Sequence, residues 1–101
     1  MSPIRYDDDA LTELESAFEY YAARDVDLAL RFQAEVRAIE TIISETPAFY
    51  PVFEERGGVR IHRALLDDFP FAVLYVETPK ATWIVALMHL RREPGYWRRR
   101  V

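Results

Sequence analysis

The chain contains no cysteine, only two histidines and three glycines among 101 residues, and a single lysine, Lys80. Without thiols, disulfide frameworks, thiolate zinc sites and cysteine nucleophiles are excluded, and two histidines are too few for a histidine-rich metal cluster, so neither a metal nor another cofactor is expected. No apolar run approaches the roughly 18 to 20 residues of a membrane span. No basic stretch followed by an apolar one opens the chain, and a soluble cytoplasmic protein without membrane contact is predicted. A Gly-rich phosphate loop, carboxylates paired at metal spacing and a Ser-His-Asp signature are all missing. What remains, 50% apolar and 30% charged residues, is the composition of one compact domain over residues 1–101 with a single core.

The net charge of -4 conceals an asymmetry about Gly58. Residues 1–58 hold 5 arginines against 13 carboxylates, while residues 59–101 hold 8 basic residues against 4 acidic ones, a balance of -8 against +4. An anionic partner, nucleic acid or an acidic protein surface, would meet the second part; alternatively, the two parts neutralise each other within the fold. Twelve of the 13 basic residues are arginine, the side chain with the planar fork for carboxylate and phosphate.

Ile4-Arg5-Tyr6 reads as a short edge strand stopped by Asp7-Asp8-Asp9, acids suited to capping a helix, with a cation site as the alternative. From Asp9 to Arg24 the residues Leu11, Leu14, Phe18, Tyr21 and Ala22 recur at helical spacing and predict one amphipathic helix. Asp25-Val26-Asp27 supplies a turn and a second cap. Leu28, Phe32, Val36, Ile39 and Ile43 then mark a longer helix that Thr46-Pro47 ends. The short connection folds the two helices into an antiparallel hairpin.

Ala48 to Gly58 lacks periodicity and reads as a loop, with Phe49, Tyr50 and Phe53 tucked under the sheet or, alternatively, forming an exposed aromatic surface. Three strand-like runs follow, Val59 to Leu66, Phe71 to Glu77 and Thr82 to His89, joined by short connections that make neighbours antiparallel. The first run alternates as for a sheet with one wet face. The second, Phe71-Ala72-Val73-Leu74-Tyr75-Val76, is apolar on both sides, so it is central and both of its faces need cover. The helical hairpin covers one. The other cover is the carboxy-terminal segment, the Phe49 to Phe53 loop, or a partner protein. The expected class is α+β, a helical hairpin packed on an antiparallel sheet of three to four strands in the order β-α-α-β-β-β.

The residues richest in chemistry come last, from Met88 to Arg100, where five arginines surround Tyr96 and Trp97. Guanidinium forks suit phosphate or carboxylate, and flat aromatics suit bases or an interface anchor. The same Tyr96 and Trp97 would serve equally as a cap over the open sheet face. Phosphodiester cleavage would draw on His62, His89 and Tyr96 for proton transfer and on Arg60, Arg63, Arg91 and Arg92 as cations. Strand alternation places Arg60 and His62 on one face and Arg63 on the other, which prevents all of them from converging.

The order of elements and specific residues resemble the RelE/ParE superfamily, the toxins of bacterial type II toxin-antitoxin modules, also called plasmid stabilisation proteins. The likeness runs through Ala10-Leu11-Thr12-Glu13-Leu14, Tyr20-Tyr21, Ala29, Phe32, Glu35, Ile39, Ile43 and Pro47, then Arg63, Phe69-Pro70-Phe71, Val73, Tyr75 and Ile84 to His89. Its most specific piece is the ending Arg91-Arg92, Pro94, Tyr96 and Trp97, which looks like the H-x-x-R-x-P-x-Y-W ending of ParE-like members.

The resemblance implies a growth inhibitor neutralised by a cognate antitoxin that wraps an extended or helical segment around it, in a hetero-oligomer that binds operator DNA only through the antitoxin. ParE-like members poison DNA gyrase without known catalysis, a reading in which Arg92, Trp97, Arg98, Arg99 and Arg100 contact the target. RelE-like members cleave messenger RNA on the ribosome, and there Arg63, Arg91 and Tyr96 would be the catalytic residues. The Lys-rich strands of that second group are missing, and a charge of -4 suits a ribosome binder poorly. The gyrase-directed reading is therefore preferred over the metal-independent endoribonuclease, with a non-toxic antitoxin-binding remnant as the third possibility.

Overall fold

The computed structural model describes all 101 residues. Strand β1 (Ile4–Tyr6) leads into helix α1 (Asp8–Ala22) and helix α2 (Val26–Glu45), followed by β2 (Val52–Arg56), β3 (Val59–Leu65), β4 (Phe71–Glu77) and β5 (Thr82–His89), and the chain ends in a 3-10 turn at Arg98–Arg100. Asp7 and Asp25 cap the helices, each carboxylate accepting the backbone N–H two residues on at 2.9 Å, so both helices begin slightly earlier than their apolar spacing predicts.

The sheet has the order β1-β5-β4-β3-β2. The α+β class and the central place of β4 are as expected, with two corrections. The sheet has five strands rather than three to four, and β1 runs parallel to β5, pairing at Ile4 with Thr82 and Tyr6 with Ile84. The additional strand is β2, inside the segment read as a loop. It is short, follows Pro51 and lies at an edge with almost every side chain exposed, so burial imposes no alternation on its sequence. Gly57 and Gly58, at φ 55° and 82°, form the two-residue turn between β2 and β3, a conformation with two positive φ angles that glycine adopts without steric cost.

One apolar cluster lies between the helices and the sheet. Phe32, Val36, Ile39 and Ile43 of α2 meet Ala64, Leu66, Phe69, Val73, Tyr75, Ile84 and Leu87, and Tyr21, Phe32, Phe69 and Phe71 pack ring against ring with centroids 5.0–6.4 Å apart. The α2 stripe is as predicted. On α1 the buried positions are Ala10 and Ala17 rather than Leu11, which is 42% exposed. Small side chains let the α1 backbone lie close to β5, and the leucine moves to the rim.

A second apolar cluster covers the face turned away from the helices: Ile61, Ala72, Leu74, Val76, Val85, Ala86, Met88 and Trp97. Val85 and Ala86 both join it because a bulge opposite Leu74/Tyr75 inserts a residue into β5. The expected wet face is therefore absent at mid-strand in β3, where Ile61 and His62 are both buried. The cover is the carboxy-terminal segment, one of the three candidates. The loop aromatics divide: Tyr50 packs against the core, whereas Phe49 and Phe53 are 62% and 40% exposed and are not tucked under the sheet.

Candidate functional site

After β5 the chain turns back across the sheet. His89 Nδ1 accepts the Arg91 backbone N–H at 3.0 Å and the His89 carbonyl accepts that of Arg92 at 3.0 Å. Gly95 then reverses direction at φ 76°. The positive backbone angle favours glycine there, and a Cβ would fall 2.2 Å from the Arg98 guanidinium, which would have to shift. The reversal delivers Trp97 onto the second apolar cluster, where it is 1% exposed.

Two arginine forks fasten this segment. Arg98 Nε and one of its terminal nitrogens each donate to a Glu54 oxygen of β2 at 2.8 Å. Arg100 donates to the two oxygens of Glu13 of α1 at 3.0 and 3.1 Å, and to the Val85 carbonyl at 3.1 Å. The location of the second fork has a simple cause. Strand β1 pairs with β5 only as far as Ile84, and beyond it the β5 edge has no neighbouring strand. Glu13 accepts the Leu87 N–H there at 3.1 Å while Arg100 satisfies Val85, so the pair of side chains replaces a missing strand. Arg92 lies 3.9 Å from the same carboxylate, and Arg99 and Arg100 approach Asp9 at 4.0 and 3.8 Å. The -8 and +4 parts of the chain thus neutralise each other across this junction.

The electrostatics follow from the forks. Hydrogen bonding from Arg98 holds the Glu54 carboxyl below its ordinary 4.5, against the opposing effect of burial. A carboxyl whose folded pKa is depressed stabilises the fold fully above the unfolded value and loses that contribution as pH falls through the folded one. In a Trp83→Phe background, the loosening of the terminal segment by Glu54→Gln, read from the exposure of Trp97 in urea at successive pH values, is expected to be full at pH 7 and to shrink below about pH 4.5. A constant effect would show that the fork contributes nothing. For Arg100, burial acts to lower the pKa, and the Glu13 hydrogen bonds outweigh it and raise the value.

The sequence-derived candidates occupy different environments. Arg63, on β3, lies over the Phe53 ring at 4.5 Å, and Arg91 is exposed in the turn after β5. The Tyr96 ring is enclosed by the guanidinium groups of Arg92 at 3.8 Å and Arg100 at 5.2 Å. Its hydroxyl is buried beside Glu13 without completing a well-directed hydrogen bond, and burial followed by the Glu13 carboxylate raises its pKa well above the ordinary 10. That phenol stays protonated and shielded from solvent. His62 is also enclosed, its Nδ1–H donating to the Tyr50 carbonyl at 2.7 Å and its ring stacked on Tyr75, whose pKa burial pushes up to about 12.

Arg92, Tyr96 and Arg100 are therefore brought together and Arg63 stands apart against β2. Of the target-contact candidates, Trp97 and Arg100 are buried, Arg98 is half-exposed and bound to Glu54, and Arg92 and Arg99 present 50% and 77% of their side chains to solvent. Sequence reasoning missed Glu13 and Glu54 as the partners of the terminal arginines. The only signal for them was the opposite charge of the two parts of the chain. A groove of about 650 Å³ runs between α1 and the end of β5, lined among others by Tyr20, Tyr21, His89 and Arg92.

No protein-family model matches the chain, and no curated protein does. Among solved structures, a chain described as "Chromosomal ParDE TA system from P. aeruginosa" superposes with a TM-score of 0.71 at 16% sequence identity, over 90% of this chain and 98% of that one. The chain has the ParE-like fold. No helix is long and apolar enough to cross a membrane.

Proposed function

We propose that this protein is the toxin of a bacterial type II toxin-antitoxin module, ParE-like in action, that inhibits growth in the cytoplasm by binding DNA gyrase and is neutralised by a cognate antitoxin. The observation that carries this reading is the match, over nearly the full length of both chains, to a structure of a ParDE toxin-antitoxin system. Binding is favoured over RNA cleavage by the state of Tyr96. A general acid must reach the leaving oxygen, and this hydroxyl is enclosed while Arg63 lies away from it over Phe53. Exposed Arg91, Arg92 and Arg99 are the cations that an acidic antitoxin segment or the target would meet, and operator DNA is contacted only through the antitoxin.

The test is inducible expression in a bacterial host with growth, DNA supercoiling and transcript integrity followed in one culture, with and without the candidate antitoxin. Growth arrest with altered supercoiling or DNA breaks and intact messages is the expected result. Arrest with cut messages and normal supercoiling would replace the gyrase reading with a ribosome-dependent nuclease, and normal growth would leave an antitoxin-binding remnant. Arg99→Ala is the suitable companion variant. Deleting residues 94–101 would uncover the sheet, so loss of toxicity in that truncation would report on folding as much as on target contact.

A further inference from the structure

The unsatisfied buried polarity of this molecule is concentrated in one place. The Trp97 indole N–H has no hydrogen-bond partner, Arg100 Nε has only the Asp7 and Asp9 carboxylates at 3.9 and 3.8 Å, and the Tyr96 hydroxyl beside Glu13 completes no well-directed bond, whereas no other residue contributes a buried unpaired side-chain atom. Native interiors pair nearly all such groups, and an unpaired one is a standing cost that a departing segment would recover in water. Elsewhere the same chemistry is satisfied: the Tyr75 hydroxyl donates to the Pro47 carbonyl at 2.7 Å, and that of Tyr6 donates to Glu40.

The way this segment is attached points the same direction. Its backbone hydrogen bonds are local, from Tyr96 to Glu93, Arg98 to Gly95, Arg100 to Trp97 and Val101 to Arg98, and none reaches a strand or helix of the body. Side chains alone hold it: Trp97 on the apolar strip, Arg98 on Glu54, and Arg100 on Glu13 and Val85. Pro94-Gly95 stands at its origin, with Gly95 in a conformation that other residues rarely adopt. Segments with few backbone ties to the body are the ones that open locally, below the free energy of global unfolding.

We propose that residues 94–101 form a strap that opens as a unit about Gly95 while the rest of the domain stays folded. Opening uncovers the apolar strip of Ile61, Leu74, Val76 and Val85, clears the β5 edge beyond Ile84, and frees Arg98 and Arg100 from Glu54 and Glu13. The opening itself is independent of what the protein binds. One consequence rests on the toxin reading: the closed strap hides Trp97 and Arg100 and ties Arg98 to Glu54, so a target that uses them meets the open form.

The test uses the two tryptophans. Trp83 lies on β5 outside the strap and is 39% exposed, so Trp83→Phe leaves Trp97 as the sole tryptophan reporter. In urea, acrylamide quenching of Trp97 is expected to rise at a concentration below the midpoint seen by far-UV circular dichroism. Adding Glu54→Gln, which removes a charge-assisted fork, is expected to raise the opening constant by about tenfold or more while the circular dichroism midpoint moves much less. Coincident transitions in both proteins would overturn the proposal and make the segment an integral part of the cooperative core. Circular dichroism at zero urea establishes that each variant is folded, and growth inhibition plays no part in the readout.

Discussion

Trp97→Ala is expected to weaken the closure of residues 94–101 over the sheet by about 3–5 kcal/mol. Trp97 is the largest fully buried side chain and the only member of the second apolar cluster that comes from outside the sheet, so its removal exposes several strand residues at once and leaves no neighbour able to collapse into the space. The milder change is equally informative. Trp97→Phe gives up part of the buried area but also removes an indole N–H that has no acceptor, two effects of opposite sign. Its net cost is expected to stay within about 1 kcal/mol. Amide hydrogen exchange at the terminal segment and at the strands beneath it measures both, and a Phe variant as damaged as the Ala variant would show that the indole N–H is satisfied in solution.

Glu13→Ala is the second large effect, also about 3–5 kcal/mol. Glu13 is the counter-charge of a guanidinium whose side chain is 7% exposed, and it is the acceptor for the Leu87 N–H. Removing it strands a buried cation and an orphaned strand donor together. Glu13→Gln keeps an acceptor for Leu87 and loses only the charge, so it is expected to cost less. Combining Glu13→Gln with Arg100→Met removes the charge from both sides of the fork while keeping that acceptor. The two changes should be non-additive, with a coupling energy above about 1 kcal/mol in a thermal or urea double-mutant cycle. Additive costs would mean that Arg100 and Glu13 do not interact in solution.

Much of this architecture was legible in the residues because its causes are local. Periodic apolar positions from Leu28 to Ile43, a proline stop at Pro47 and an aspartate ahead of each helix specify the hairpin. A strand apolar on both sides, Phe71 to Val76, demands a covered central position wherever it occurs. Strand β2 escaped notice for the converse reason: Val52 to Arg56 is held by backbone pairing to β3 at an exposed edge, and such pairing leaves almost no mark on side-chain choice. The parallel β1 was invisible as a partner of β5 because that contact joins residues almost eighty positions apart.

The candidate site shows the same division. The residue types were apparent, arginines interleaved with Tyr96 and Trp97 after the last strand, and so was the need for something to cover the second face of the sheet. The amino-acid sequence by itself determined the class of fold, the order of most elements, the central strand and the charge imbalance between the two parts of the chain. Only the tertiary structure decided that the cover is the chain's own terminus, that Glu13 and Glu54 take up Arg100 and Arg98, and that Tyr96 is enclosed. Pairings between charges distant in sequence depend on how the sheet edges and α1 are placed in space, because a salt bridge needs only proximity and leaves no periodic signature in the chain.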